Sequence, residues 1–212
     1  MKKLTGLLAV TGLLSFASLQ VNAQSAFEGA YGQIGVGYES VTPSFSGGSV
    51  YGRGYTASGS NANSFVGTAT IGYSFAVTPS FLLGIGAEYS PFAGTKANYT
   101  VTVPGIASAT GQYNKENSYN IFISPGLVID KDKLAYAKIG YTGASVKSEG
   151  GDTTNLSGYS LGLGYKQIIS GGLYGFGEIN YASYGNANVG GPFSGTFSAN
   201  SANALVGLGY KF

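Results

Sequence analysis

The sequence predicts an all-β fold, an eight-stranded antiparallel up-and-down transmembrane β-barrel, on three observations. Apolar and polar residues alternate with period 2 in segments of about 10 to 13 residues, the signature of strands with two unlike faces. The connections between segments are short and long by turns. The 212 residues include 36 Gly, 17 Tyr and 12 Phe against only 11 Lys+Arg and 9 Asp+Glu, a composition suited to closely packed sheet.

The elements follow in chain order. Lys2 and Lys3 precede an apolar run from Leu4 to Ala17, and small residues stand at 21 to 23. This is the layout of a secretory signal peptide, and the run is too short to cross a bilayer as a helix. Cleavage is expected after Ala23, leaving residues 24–212 as one barrel domain. Lys2 and Lys3 leave with the leader and no acid does, so the mature chain is balanced at 9 basic and 9 acidic residues. A neutral chain is not expected to bind nucleic acid. With no Cys, neither a disulfide scaffold nor a lipoprotein anchor is available.

Strands are expected at 29–40, 64–76, 81–91, 117–130, 134–147, 157–169, 173–184 and 200–212. "VTPS", "KDK" and "SGG" join the second to the third, the fourth to the fifth and the sixth to the seventh. Long polar loops are expected at 41–63, 92–116, 148–156 and 185–199, with Tyr99, Val101 and Val103 extending one hairpin. Short turns at one end and long loops at the other describe a meander with both termini at the short-turn end.

Parity assigns the faces. Ile34, Val36 and Tyr38 share a face with Phe65, Ile71, Tyr73, Ile85, Tyr119, Ile121, Ile139, Leu163 and Ile179. The opposite face collects the strand charges Glu39, Glu88, Lys138, Lys166, Glu178 and Lys211. A Lys at the lipid midplane costs about 2–4 kcal/mol, so the charges are expected in the lumen. Eight strands leave room there only for side chains, and buried charges require partners. A lumen ion-pair network is therefore expected, with Lys166, Glu178 and Lys211, on three consecutive strands near the short-turn end, as its foremost members. On the apolar face Tyr38, Phe65, Tyr89, Tyr119, Tyr141, Tyr159 and Tyr181 fall near the long-loop end. Phe75, Phe81, Tyr165, Tyr210 and Phe212 fall near the other, so the aromatics form two interfacial belts.

The leader, the strand and loop pattern and the ending "ALVGLGYKF" resemble the small eight-stranded bacterial outer-membrane β-barrels of the OmpA-transmembrane, Opa and NspA-like type, often called porin-family proteins. The resemblance covers nearly the whole mature chain. It implies residence in the outer membrane with both termini periplasmic. It also implies outer-membrane lipid, periplasmic chaperones and the barrel-assembly machinery as partners, with Val206, Leu208, Tyr210 and Phe212 as the assembly signal.

Barrel enzymes of similar size depend, by the same resemblance, on a His as general base. The sequence has no His, so Ser-His, Cys-His and zinc constellations are ruled out. No catalytic residue, metal ligand or cofactor is expected. Display of extracellular loops, for adhesion or envelope integrity, is the leading expectation, with Tyr51, Arg53 and Tyr55 as loop contacts. The first alternative is a narrow channel for small solutes, with a water path past Gly35, Gly37, Gly84, Gly86, Gly162, Gly164, Gly207 and Gly209. The other is a secreted soluble barrel with its apolar face turned inward around a ligand.

Overall fold

The computed structural model describes residues 25–149, 153–189 and 193–212; the expected leader, residues 1–23, lies outside them. The described residues form eleven strands: β1 (Gly29–Val50), β2 (Arg53–Gly54), β3 (Thr56–Gly59), β4 (Ala62–Thr78), β5 (Phe81–Ser90), β6 (Ala97–Val103), β7 (Ala107–Asp130), β8 (Lys133–Ser148), β9 (Thr153–Ser170), β10 (Leu173–Val189) and β11 (Phe193–Lys211). Eight of them pair in a closed antiparallel ring, β1-β4-β5-β7-β8-β9-β10-β11, with β11 returning to β1. These eight correspond to the eight expected strand segments, of which 81–91 and 200–212 each run one residue past the observed strand.

Closure fixes the stagger. From Gly32 the paired residues run to Ile71, Ala87, Ile121, Tyr141, Tyr159, Ser183 and Asn200, and Asn200 faces Thr42, ten residues beyond the start. Such a slip tilts the strands against the barrel axis, which is how a sheet of this width closes without edges. The turns at the short end are set locally. Thr78 Oγ1 accepts the Phe81 N–H at 3.1 Å, Asp130 Oδ1 accepts the Lys131 N–H at 2.8 Å, and Gly171 supplies a φ of +56° between β9 and β10.

The apolar parity set points outward. Phe65 is 84% exposed, Ile71 71% and Ile34 69%, and large apolar side chains surround the ring. An apolar surface of this extent is a lipid face, and the inward-facing arrangement of a soluble ligand barrel is overturned. On β7 the band runs from Tyr119 to Ile129. Ten residue-to-residue rises at about 3.3 Å each, tilted by about 40°, give a height near the roughly 25 Å of a transmembrane barrel. Its rims are aromatic. Tyr38 meets Phe65 edge-on at 5.7 Å, and Tyr89 faces Tyr119 and Tyr141 faces Tyr159 across their ladders. At the short-turn rim Tyr73 and Phe75 lie 4.6 Å apart.

A test follows directly. Ile123→Arg, near mid-band, will cost about 2–4 kcal/mol of folding free energy, against about 0–1 for Ile129→Arg at the rim. Urea titration of folding into vesicles measures both, and equal losses would contradict the assigned band.

The long loops differ from expectation. Much of 41–63, 92–116, 148–156 and 185–199 is strand, because β1, β7, β8, β9, β10 and β11 continue above the outer aromatic rim and β6 pairs with β7 from Ala97↔Tyr113 to Val103↔Ala107. Beyond the band the outer face is wet, so residues such as Thr100, Thr102 and Ser108 lack the hydrophobic contrast that marks a strand in sequence. They pair nonetheless, joined by Thr100···Thr110 and Thr102···Ser108 hydroxyl bonds of 3.1 and 2.9 Å. Inside this extension Val41, Tyr113, Val146, Leu156, Tyr184 and Ala199 form a buried apolar cluster.

Candidate functional site

Residues that alternate with the lipid face point into the barrel and fill it in layers. Lowest lies Lys166 on β9. Its Nζ sits 3.9 Å from the Tyr31 ring centre, 4.9 Å from that of Tyr174 and 5.1 Å from that of Tyr136, so the charge is met by π faces. Tyr174 Oη donates to Gln33 Oε1 at 3.0 Å, and Gln33 Nε2 donates to Glu178 Oε1 at 3.3 Å. Tyr136 Oη donates to the same carboxylate oxygen.

Above them Lys138 on β8 reaches across the lumen. Its Nζ lies 2.9 Å from Glu178 Oε2 on β10 and 3.0 Å from Glu88 Oε2 on β5, and 4.6 Å from the Phe122 ring centre. Thr70 donates to Glu88 at 3.2 Å, and Asn180 to Glu178 at 3.3 Å. Lys138 is 2% exposed, and every ion in the triad has a partner, the condition for burying charge without a large penalty.

A polar cavity of about 40 Å³ follows, lined by Thr68, Ser90, Asn120, Ser160 and Asn203 among others; that is room for a few water molecules. It is roofed by the pair Lys115–Glu39, with Nζ to Oε1 at 2.5 Å. Burial alone would lower the Lys115 pKa, but Tyr184 and Glu39 outweigh it and the ammonium is held above its usual range. Next to it burial pushes the Tyr113 hydroxyl up to about 12, and its proton is donated to the Ser60 carbonyl at 2.7 Å. The apolar cluster of the extension closes the top.

The structure thus brings together Glu88, Lys138 and Glu178, and joins Glu39 to a residue the sequence reading placed in a loop, Lys115. Parity gave no signal for it: counted from Tyr119 and Ile121, residue 115 falls on the lipid side, and the bulge between Glu116 and Tyr119, with Asn117 at a φ of +43°, turns it inward. Two expected members stand apart. Lys166 makes no ion pair among the described residues and is held by rings instead. Lys211, half-exposed, also makes none and lies at the short-turn rim, where a Cβ on Gly29 would come within 3.2 Å of its Cε. Adjacent strands were the wrong guide, because with a ten-residue stagger the charges meet across the lumen, from β5, β8 and β10.

The glycines expected to line a water path are covered. A Cβ on Gly164 would lie 2.3 Å from Tyr136 Cζ, one on Gly209 2.3 Å from Tyr174 Cζ, and one on Gly86 2.6 Å from Phe122 Cζ. Phe176 lies over Gly35 and Gly207, Ser124 over Gly84 and Asn180 over Gly162, while Gly37 abuts the Ala204 carbonyl. Their missing side chains make room for neighbouring rings and polar groups.

At the far end Tyr51 and Gly52, with φ of +47° and +78°, turn β1 into β2. Tyr51 is 85% exposed and Arg53 is exposed. Tyr55 instead folds back: its N–H donates to the Gly48 carbonyl at 3.1 Å and its ring occupies the space over Gly48. On β11 Val206, Leu208, Tyr210 and Phe212 all lie exposed on the lipid face, with the last two rings 5.4 Å apart, and the Phe212 N–H donates to the Ala30 carbonyl at 2.9 Å.

No protein-family model and no curated protein matches the chain. Solved structures do. The outer membrane protein OprG from Pseudomonas aeruginosa is similar at 16% identity and a TM-score of 0.58, covering 87% of this chain and 96% of that one. The outer membrane protease OmpT from Escherichia coli is similar at 10% identity and 0.51, covering 91% and 99%. Neisserial surface protein A is similar at 15% and 0.49, covering 87% and 98%. The likeness to OprG and OmpT is one of fold: this chain has the architecture of small bacterial outer-membrane β-barrels.

Proposed function

We propose that this protein is an integral outer-membrane barrel with a closed lumen, a rigid stalk that presents its extended sheet outside the cell for adhesion or envelope integrity. The observation that supports this most is the combination of a lumen filled at the Lys138 and Lys115 layers with strands that run on past the outer aromatic rim. The chain lacks His, so the reading is non-enzymatic, and the protease activity of OmpT is not transferred. Outer-membrane lipid contacts the apolar band, both termini face the periplasm, and Val206, Leu208, Tyr210 and Phe212 form the strand that the assembly machinery and periplasmic chaperones read.

Two measurements test it. A single cysteine in place of Tyr51 will react with a membrane-impermeant maleimide on intact cells, and protection of that thiol would refute surface display. The refolded protein in a planar bilayer will give no single-channel steps. Reproducible conductance would replace the stalk with the narrow channel.

A further inference from the structure

Between β1 and the strand that descends beside it, the ladder lapses. β1 pairs with β4 up to Val41↔Ala62 and with β2 from Ser49↔Gly54, but β3 between them pairs with β6 alone. The reason is phase. Continued without a slip from Val41↔Ala62, the ladder would set Phe45 opposite Ser58. Phe45, however, packs against Phe197 at 5.3 Å and Tyr99 at 6.4 Å, while Ser58 is exposed beside Thr100. The two lie on opposite faces, and a one-residue mismatch forbids pairing.

The mismatch leaves a window. It is pinched above, where the Tyr55 ring lies over Gly48, and below, where a Cβ on Gly59 would come within 2.7 Å of the Pro43 ring. Between the pinches is a cavity of about 200 Å³ lined by Phe45, Tyr55, Ser46, Thr56 and Ala57. Its walls combine two aromatic rings, the aliphatic hydroxyls of Ser46, Thr56 and Thr196, and facing stretches of backbone without ladder partners across the gap. It carries no charge.

We propose that this window is a binding site for one neutral, sugar-sized polyhydroxylated ring, as displayed by a surface glycan. Its chemistry selects that class. Aromatic faces take the C–H side of such a ring, while hydroxyls and alternating backbone N–H and C=O groups match its vicinal hydroxyls. The absence of charge gives nothing to a phosphate, sulfate or carboxylate. The pinched ends stop an extended peptide from lying along either edge, which strand addition requires. The proposal rests on the stalk reading, since it places a ligand on the displayed end.

The test is saturation-transfer NMR on the refolded full chain in detergent, with neutral methyl hexosides, glucuronate and an extended alanine tripeptide as probes. At least one neutral hexoside will receive saturation, and Ala57→Phe, which fills the window, will weaken it by about tenfold or more. Lys147→Ala, exposed on β8 and outside the window, will leave it unchanged. Heat-modifiable migration verifies that each variant is folded, and Thr56→Phe is the second filling variant if Ala57→Phe is not. No transfer to any neutral hexoside, transfer that survives filling of the window, or preference for glucuronate or the tripeptide overturns the proposal. Failure of the stalk reading shows separately, as protection of the thiol of Tyr51→Cys on cells.

Discussion

Lys138→Met will be the most damaging single substitution in the lumen, lowering the folding free energy by about 3–5 kcal/mol. Removing the ammonium leaves Glu88 and Glu178, which it holds at 3.0 and 2.9 Å, as two buried carboxylates without their shared counter-ion. One cannot simply turn to water, since Glu178 is 4% exposed. The cost belongs to the stranded acids rather than to the lost bonds, because a buried ion pair gives little net stability over a neutral replacement. Lys138→Met combined with Glu88→Gln and Glu178→Gln will therefore recover most of the loss. Urea unfolding from vesicles reads both. A triple variant no more stable than Lys138→Met would show that the ions hold the lumen together by their attraction.

Gly164→Ala and Gly209→Ala will each cost about 1–3 kcal/mol, the range for forcing an extra carbon into a packed interior. In each case the new methyl would lie 2.3 Å from a tyrosine ring carbon, of Tyr136 and Tyr174 respectively. Those rings cannot yield freely, because Tyr136 is bonded to Glu178 and Tyr174 to Gln33, and together with Tyr31 they enclose Lys166. Displacing either one also uncovers the caged ammonium. The internal control is Gly175, on the lipid face of β10, where a Cβ would meet its nearest neighbour at an ordinary 3.7 Å. Gly175→Ala will be neutral or stabilising by about 0.5–1 kcal/mol, since Ala has less backbone freedom to lose. If all three substitutions behave alike, the rings do not fill the space over the lumen glycines.

The two readings of the lumen glycines, socket and water path, could not be separated in the sequence for a physical reason. In sequence, Gly162, Gly164, Gly207 and Gly209 register as missing volume. Whether missing volume becomes a water path or a socket depends on which residue of the next strand lies opposite, and that is a matter of register. Tyr174 faces Gly209 and Phe176 faces Gly207 in the β10–β11 ladder, so each gap has a ring to fill it. The same holds for Lys166: a buried lysine in sequence calls for a carboxylate, yet the neighbours supplied by the fold are three tyrosines.

Parity alone was enough to separate the two faces within the membrane band, because a side-chain period of 2 ties each residue of an unbulged strand to one side, and the cost of a charge in lipid says which side is wet. The eight spans, their antiparallel order, the aromatic rims and the inward direction of Glu39, Glu88, Lys138, Lys166 and Glu178 are local consequences of that alternation. Closure of the ring decided the rest. The ten-residue stagger sets which strands face one another across the lumen, so it selected Glu88 and Glu178 for Lys138, Lys115 for Glu39 and a tyrosine cage for Lys166. Above the membrane, where both solvent contrast and parity fade, only the competition between the β3–β6 and β1–β4 ladders could decide where a strand pairs and where it leaves a window.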